Sequence, residues 1–596
     1  MPYNKKIFFL ILMISISTSL AIFCKMDRKS NADLVKTEFS KDLSALQENI
    51  NNQLLNAAKN KDENGIKKAF LQARLKYKEI EFYIEYFFPT TAGLLNGAPI
   101  DEIELGENLV KNPSGFQVME ELVYNVPNQE NRSELLNEIK KMKLNLERVS
   151  RFNDEYEITD AQIFDAIRLE ILRITSLGIT GFDAPVALNS LPEAVAALGG
   201  IKKVLTVYDE EASGEKIDQS IHFIQRTSSF DEFDRIGFTT DYLQPLGSEI
   251  AKLRKRLNIP TAASGAALRE GTVSLFETNA FDVDKFVGNS TMFISNEKIS
   301  LGKSLFDEVM LSKNLDRSCQ SCHHQSMAFT DGLVRPLGIS KGKVLDRNTP
   351  TLSYAGLQRG FFYDLKAGSL EDQALDVIHQ KEEMGGSLEQ AAQRINTSGK
   401  YQKAMKNAYK DDSEATPWKI QHALAAYIRS LSPFSSRLDR YMRGDRSQLS
   451  TIEKTGYNLF MGKAKCGSCH FAPLFNGTQS PMFIKSEAEV LGVPAKADTA
   501  HAKIDSDLGR FGLYQYPQFK YAFKTPTLRN ISKTAPYMHN GVYQTLEQVV
   551  DFYNRGGGAG IGISLDNQTL SGDQLKLNKS EIKSIVAFLT TLDDES

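Results

Sequence analysis

Four of the five cysteines fall into two pairs, Cys319-Gln320-Ser321-Cys322 and Cys466-Gly467-Ser468-Cys469, and each pair is followed at once by a histidine, His323 and His470. That spacing narrows what the chain can be. Two thiols three positions apart can each add to one vinyl group of a single haem, and the adjacent imidazole then reaches the iron from the same face. Two such motifs imply two covalently held c-type haems. A ribbon-type zinc site would need cysteine pairs roughly 15 to 20 residues apart, whereas these begin 147 positions apart (466 less 319). Two redox dithiols would leave both histidines without a task.

The motifs sit in a repeat. Leu301-Gly302-Lys303-Ser304-Leu305-Phe306 precedes the first and Thr455-Gly456-Tyr457-Asn458-Leu459-Phe460 the second, both helix-like and both offering Leu-Phe to a core. Phe329-Thr330-Asp331-Gly332 and Phe475-Asn476-Gly477 follow them. Each half therefore reads as a small helical cytochrome c module, residues 274–444 and 445–596. The last helix is expected from Asn578, with Glu581 in a capping box. Residues 31–257 contain no cysteine and read as a helical bundle. Its clearest stripe is Ile66, Phe70, Ala73, Tyr77, Ile80, Ile84 and Phe87, at alternating steps of four and three ending at Pro89. Further helices are expected over 133–151, 160–177, 190–198 and 230–257, and a Gly/Ala/Ser/Thr-rich linker over 258–273 joins bundle to modules. The fold class is all-α: an N-terminal helical bundle followed by two cytochrome c-like haem domains. The glycine run 556–562 follows no strand and reads as a flexible loop, not a dinucleotide site.

At the N-terminus Lys5-Lys6, the apolar run Ile7 to Phe23 and then Cys24 before charged residues form the layout of an export signal over residues 1–24. The run is shorter than the ~20 residues of a spanning helix, so a periplasmic protein is expected. Cys24 stands where a lipoprotein cysteine would be lipidated, although Phe23 is bulkier than the residue usual there. No later segment is apolar enough to span. With 71 basic and 74 acidic residues the charge is near neutral, and nothing points to nucleic acid.

Beyond the motifs stand Arg347-Asn348-Thr349-Pro350-Thr351-Leu352, Phe361-Phe362-Tyr363-Asp364, Ser369-Leu370-Glu371-Asp372-Gln373-Ala374 and Glu383-Met384-Gly385. Later come Phe523-Lys524-Thr525-Pro526-Thr527-Leu528-Arg529-Asn530 and Thr534-Ala535-Pro536-Tyr537-Met538-His539-Asn540-Gly541, then Thr545-Leu546-Glu547. In order and spacing, residues 295–595 resemble the bacterial di-haem cytochrome c peroxidases and their relatives, the MauG-type enzymes, which oxidise a tryptophan pair in a partner protein. The resemblance implies hydrogen peroxide as substrate, a cytochrome c or cupredoxin as electron donor, and Glu383 as distal acid/base on the first haem. Heterolytic cleavage needs a proton to leave one peroxide oxygen and reach the other, and one positioned carboxylate can do both. Gln373 resembles a second distal-pocket residue. Glu382 is expected on the surface.

The chain also departs from the peroxidase pattern. Where relatives carry a loop histidine that can close the first iron, this sequence has Ser340, and Asp331 to Asp346 holds no histidine. The first haem is expected to be five-coordinate at rest, with His324 and His379 the neighbours that could overturn this. At the second haem the position of the usual methionine ligand is Tyr553, as in MauG-type enzymes, with Met538 the fallback. Tyr363 stands where an inter-haem tryptophan relay is usual. Asn348, Thr534 and Pro536 match the protein ligands of a calcium ion, and His539 resembles a residue beside a haem propionate. The N-terminal domain more weakly resembles imelysin-like modules through Gly115-Phe116-Gln117-Val118-Met119-Glu120, with Gln117 in place of a histidine, so docking or assembly is expected in place of metal binding. Three functions follow: a peroxidase, a MauG-like oxidase of a protein or organic substrate, and a non-enzymatic electron-transfer or peroxide-sensing cytochrome with two six-coordinate haems.

Overall fold

A computed structural model describes residues 29–104, 109–124, 129–209, 214–227, 229–410 and 414–595; the leader and Cys24 lie outside them. The chain is mostly helical, and among the described residues its strands are two short antiparallel pairs, Glu102–Glu104 with Leu109–Lys111 and Ala488–Val490 with Ala522–Lys524. Three buried apolar clusters organise it. One gathers the helices before residue 257, one surrounds the first cysteine motif between Leu301 and Ile428, and one surrounds the second motif.

The stripe from Ile66 to Phe87 is buried along the helix Glu63–Phe87, which Asp62 caps by accepting the Gly65 N–H at 2.9 Å. Asn31–Glu48, Asp160–Arg173 and Ser190–Tyr208 pack around it. The last of these runs ten residues beyond the expected stop at Leu198. Gly199-Gly200 reads as a helix end, yet a Cβ at Gly200 would lie 1.9 Å from the Glu79 carbonyl oxygen. The glycine lets two backbones touch in mid-helix. The helix expected from Phe230 begins instead at Arg235, where Asp234 accepts the Gly237 N–H at 3.2 Å.

The repeat has a structural counterpart. Asn296–Phe306 crosses Pro417–Arg429 with the Gly302 Cβ position 1.8 Å from the Ala423 carbonyl, and Thr451–Met461 crosses Lys579–Thr590 with that of Gly456 1.9 Å from the Ser584 carbonyl. Each module is closed by a pair of helices in backbone contact. Gly456→Ala is expected to lower stability by about 1–3 kcal/mol through overpacking, read as a drop in the thermal midpoint of the holoprotein. The glycine run is a correction: Gly557–Gly560 forms a short helix, and the Gly558 N–H donates to the Leu491 carbonyl at 2.8 Å. Gly556, at φ +93°, passes so close to Gly572 that a Cβ would meet its carbonyl oxygen at 2.2 Å, so close packing, not looseness, selects glycine there.

The N-terminal helices rest on the second module. The Ser176 and Ser480 hydroxyls are hydrogen-bonded at 2.8 Å, the Ile236 N–H donates to Asn458 at 3.0 Å, and the Phe182 and Phe471 rings meet edge-on at 5.5 Å. Arg235 is fully buried, and among the described residues no carboxylate pairs with it at salt-bridge distance. Its guanidinium donates to the carbonyls of Ile179, Phe233 and Phe230 and lies against Gly462.

Candidate haem sites

Neither cysteine pair forms a disulfide, and each begins a single 3₁₀ turn, Cys319–Ser321 and Cys466–Ser468. The turn brings the histidine back over its first cysteine: the His323 N–H donates to the Cys319 carbonyl at 3.0 Å and the His470 N–H to that of Cys466 at 2.9 Å. Each imidazole is then oriented by the loop that follows. Nδ1 of His323 lies 2.8 Å from the Phe329 carbonyl and Nδ1 of His470 lies 3.1 Å from that of Phe475. A carbonyl fixes the proton on Nδ1 and leaves Nε2 as a lone-pair donor, the arrangement expected of an iron ligand. Burial favours the neutral ring at both, pushing His470 down to about 4.

Burial also pushes the Cys319 and Cys466 thiols up to about 12. A redox dithiol needs the opposite shift. No group of three or more His, Cys, Asp or Glu side chains able to hold a metal ion occurs among the described residues.

The first motif opens on a cavity of about 830 Å³ lined by Cys319, Cys322, His323, Leu352, Leu370 and Met384, within the ~300–1,000 Å³ of ligand and cofactor pockets. Two thiols, one neutral imidazole and an apolar wall fit a covalently held porphyrin. The same cavity is lined by Gln373, from the helix Leu370–His379, by Glu383, from the turn after it, and by Tyr363 and Asn348. Among the described lining residues His323 is the sole histidine. His379 faces away and accepts the Leu388 N–H at 3.5 Å, while His324 backbone-pairs with Thr330.

The Glu383 turn is held from several sides. The Glu383 and Gly385 N–H groups both donate to the Gln380 carbonyl, the Lys313 N–H donates to Met384, and Gly385 takes the left-handed conformation that closes the turn. Desolvation raises the Glu383 carboxyl to about 7, with Lys366 opposing and Asp376 reinforcing. Glu382 differs from expectation: it is half-buried, lines the cavity, and accepts from the Ser340 N–H at 3.2 Å and hydroxyl at 3.0 Å. Ser340 stands within this latch.

The modules meet beside the cavity. The Asn348 N–H donates to the His539 carbonyl and the Lys524 N–H to the Tyr363 carbonyl. The Tyr363 hydroxyl lies 3.5 Å from Asn348 Oδ1, and burial holds its phenol protonated. His539 stacks on Phe523 at 3.8 Å and faces Asp505, while Arg347 bridges Asp364 and Asp507 at 2.6 Å each. Asn348 uses its amide nitrogen on the Leu333 carbonyl, and the Thr534 hydroxyl donates to that of Ile531. In the second module Tyr553, on the helix Leu546–Asn554, is packed into the same core as Cys466, and burial together with the Cys469, Cys466 and Glu489 side chains disfavours its phenolate. Met538 belongs to that core as well, in a left-handed turn.

In the N-terminal domain Gln117 is buried and donates to the Asn96 carbonyl at 3.1 Å, and Glu120 accepts the Ala187 N–H at 2.9 Å. Nothing in the local residue pattern signals what lies beside them. Arg74 forks onto Glu193, Arg173 onto Asp183, and Lys78 bridges Glu81 and Asp183, all buried. The cations that neutralise these carboxylates belong to the protein itself.

The family model of the di-haem cytochrome c peroxidases matches residues 296–447. The chain is 31% identical over 359 residues to the cytochrome-c peroxidase IdrP2 of Denitromonas iodatirespirans, covering 57% of this chain and 93% of that protein. It is 32% identical to the methylamine utilization protein MauG of Methylorubrum extorquens, covering 51% of this chain and 80% of that protein. Among solved structures it is similar to a MauG-like protein associated with microbial copper homeostasis, at 30% identity and a TM-score of 0.45, covering 52% of this chain and 92% of that one. The fold and paired haem motifs define a di-haem c-type oxidoreductase. The chain belongs to the di-haem cytochrome c peroxidase and MauG family.

Proposed function

We propose that the chain is a periplasmic peroxidase that reduces hydrogen peroxide to water with electrons from a small redox protein. One observation carries this reading: a carboxyl raised to about 7 by burial lines the same cavity as a neutral, carbonyl-oriented histidine of a haem-attachment motif. When bound, the haems supply the site that polarises peroxide and the two-electron redox capacity. Cys319 and Cys322 would hold the first haem and Cys466 and Cys469 the second, with His323 and His470 as candidate iron ligands and Tyr553 as a further candidate at the second. Glu383 accepts a proton from the entering peroxide and returns it to the oxygen that leaves as water. Gln373 orients that exchange, and the apolar wall excludes bulk water. Two electrons and two protons convert one peroxide into two water molecules. Tyr363 lies on the electron path between modules. On the same reading Asn348, Thr534 and Pro536 would hold a calcium ion, and His539 would stand beside a haem propionate. Residues 1–24 direct export; among the described residues no helix is long and apolar enough to cross a membrane.

Steady-state peroxide consumption with reduced small carriers tests this. Turnover is expected, whereas none with any carrier, together with peroxide-driven oxidation of a partner protein, would replace it by the MauG-like reading. Tyr553, half-buried in the same core as Cys466, is what favours that alternative. A phenolate ligand stabilises higher iron oxidation states and methionine raises the potential. Tyr553→Met is therefore expected to raise the potential of the second haem alone in a redox titration, and an unmoved potential would assign that position to another ligand.

A further inference from the structure

The chain's single tryptophan has no part in the reaction described above. Trp418 is 42% exposed, although indole is on average among the more buried side chains. It stands in the first turn of the helix Pro417–Arg429, whose start Thr416 fixes by accepting the Lys419 N–H at 3.2 Å. One turn on, His422 is fully buried with its ring centre 4.8 Å from that of the indole. Tyr409 completes the group, 5.8 Å from Trp418 and 5.9 Å from His422. Three rings in mutual contact thus lead from the surface into the packing of the first module.

The same helix forms part of the first cavity. Leu424 and Ile428 line it, and Leu424 follows Trp418 by six residues (424 less 418), about 9 Å along a helix axis. The neighbouring helix Leu370–His379 is tied to it. Gln421 Nε2 donates to the Glu371 carbonyl at 3.1 Å, and Arg429 forks onto the Glu371 carboxylate at 2.7 and 2.6 Å. That helix carries Gln373 to the cavity, so packed protein joins the indole to the cavity wall. The charges around the three rings single out Trp418 as the member that gives up an electron. Lys298 and Lys419 lie over the Tyr409 ring at 5.9 and 5.4 Å, and positive charge there opposes loss of an electron from it. Burial, with Lys298 nearby, favours the neutral form of His422 and pushes it down to about 4, so the imidazole beside the indole adds no opposing charge.

We infer that Trp418 is a surface oxidation site for small phenols, supplied by the oxidising equivalents that peroxide leaves in the first module. This rests on the peroxidase reading above. A porphyrin occupies the first cavity on that reading, so an aromatic reductant meets the protein outside it, and an exposed indole offers a face on which another ring stacks. In each cycle Trp418 gives one electron to the oxidised site and its indole N–H proton to solvent. A phenol then returns one electron together with its hydroxyl proton, which restores Trp418 and leaves a phenoxyl radical. Two cycles supply two electrons, and the two protons released balance the two taken up. One peroxide and two phenols therefore give two waters and two phenoxyl radicals.

The test gives the holoprotein peroxide with either of two reductants, the phenol guaiacol or ferrocenemethanol. The wild type is expected to oxidise both. Trp418→Phe keeps an aromatic ring at a position that does not line the cavity. It should lower kcat/KM for guaiacol by about tenfold or more and leave ferrocenemethanol turnover within about twofold. Trp418→Tyr, which can again lose an electron and a proton, should recover part of the loss. Because the chain has one tryptophan, ring-deuterated tryptophan should narrow the spin-resonance signal of the radical formed when peroxide is added without reductant. That signal should be missing in Trp418→Phe. Guaiacol oxidation unchanged in Trp418→Phe, or a radical signal indifferent to the label, overturns the inference while leaving the peroxidase standing. Equal slowing with both reductants, or Trp418→Tyr as slow as Trp418→Phe, would make the indole a packing element and also overturn it. So would wild-type turnover with ferrocenemethanol and none with guaiacol. Absence of turnover with both reductants in the wild type defeats the peroxidase reading and this inference together.

Discussion

Replacing Glu383 by Gln is expected to slow peroxide consumption by about 10²-fold or more, the scale of general acid–base help, or at least about 2.7 kcal/mol in the barrier. The substitution keeps the shape of the side chain and its place on the turn but removes the group that takes up and gives back a proton. Because burial raises this carboxyl to about 7, the wild-type profile should carry the same signature. The form that accepts the proton is the ionised one, so kcat/KM for peroxide should fall as pH drops below about 7, and that limb should vanish in Glu383→Gln. Both haems should remain attached in the variant, since neither cysteine pair nor either histidine is touched. A rate unchanged by the substitution, with the acid limb intact, would remove Glu383 from the proton path.

What was legible in advance follows from the range of the interactions. The cysteine–histidine motifs are local, and one turn of backbone suffices to bring two thiols and an imidazole together; the carbonyls of Phe329 and Phe475 that orient those imidazoles lie only six and five residues on. The stripe from Ile66 to Phe87 was equally readable, because helical period and burial coincide along it. Glu383 and Tyr553 could be picked out only by resemblance, since a lone Glu after a helix and a Tyr within one carry no local signal.

The features that escaped depend on pairings across tens to hundreds of residues. Glu382 looked like a surface residue because nothing near it in sequence shows that Ser340 comes to meet it. Gly199-Gly200 looked like a helix stop because the approach of Glu79 is invisible in the local pattern. The charges in the N-terminal bundle were harder still. A Lys or Arg on a helix is ordinarily solvated, and only the fold reveals that Arg74, Lys78 and Arg173 point inward onto Glu193, Glu81 and Asp183.

The same long-range logic gives the largest expected loss of stability. Arg529 is fully buried and forks onto Asp439 at 2.6 and 2.9 Å, with further bonds to the Pro473 carbonyl, and lies over the rings of Tyr354, Phe434 and Phe475. Arg529→Met keeps much of the volume but strands a buried carboxylate, which is expected to cost about 3–5 kcal/mol. Asp439→Asn with Arg529→Met removes both charges and should recover part of it, since the loss lies in the unpaired ion more than in the pair. The Arg529 guanidinium holds Asp439 below the usual carboxylate range, so this pair stabilises the fold at neutral pH, and its contribution disappears as pH falls through the lowered value. The thermal midpoint of the double variant should accordingly fall less on acidification than that of the wild type. Pro473 and Phe475 belong to the loop that orients His470, so in Arg529→Met the spectrum of the second haem should change at denaturant concentrations where that of the first is still native. Simultaneous loss of both signals would show instead that the two modules unfold as one unit.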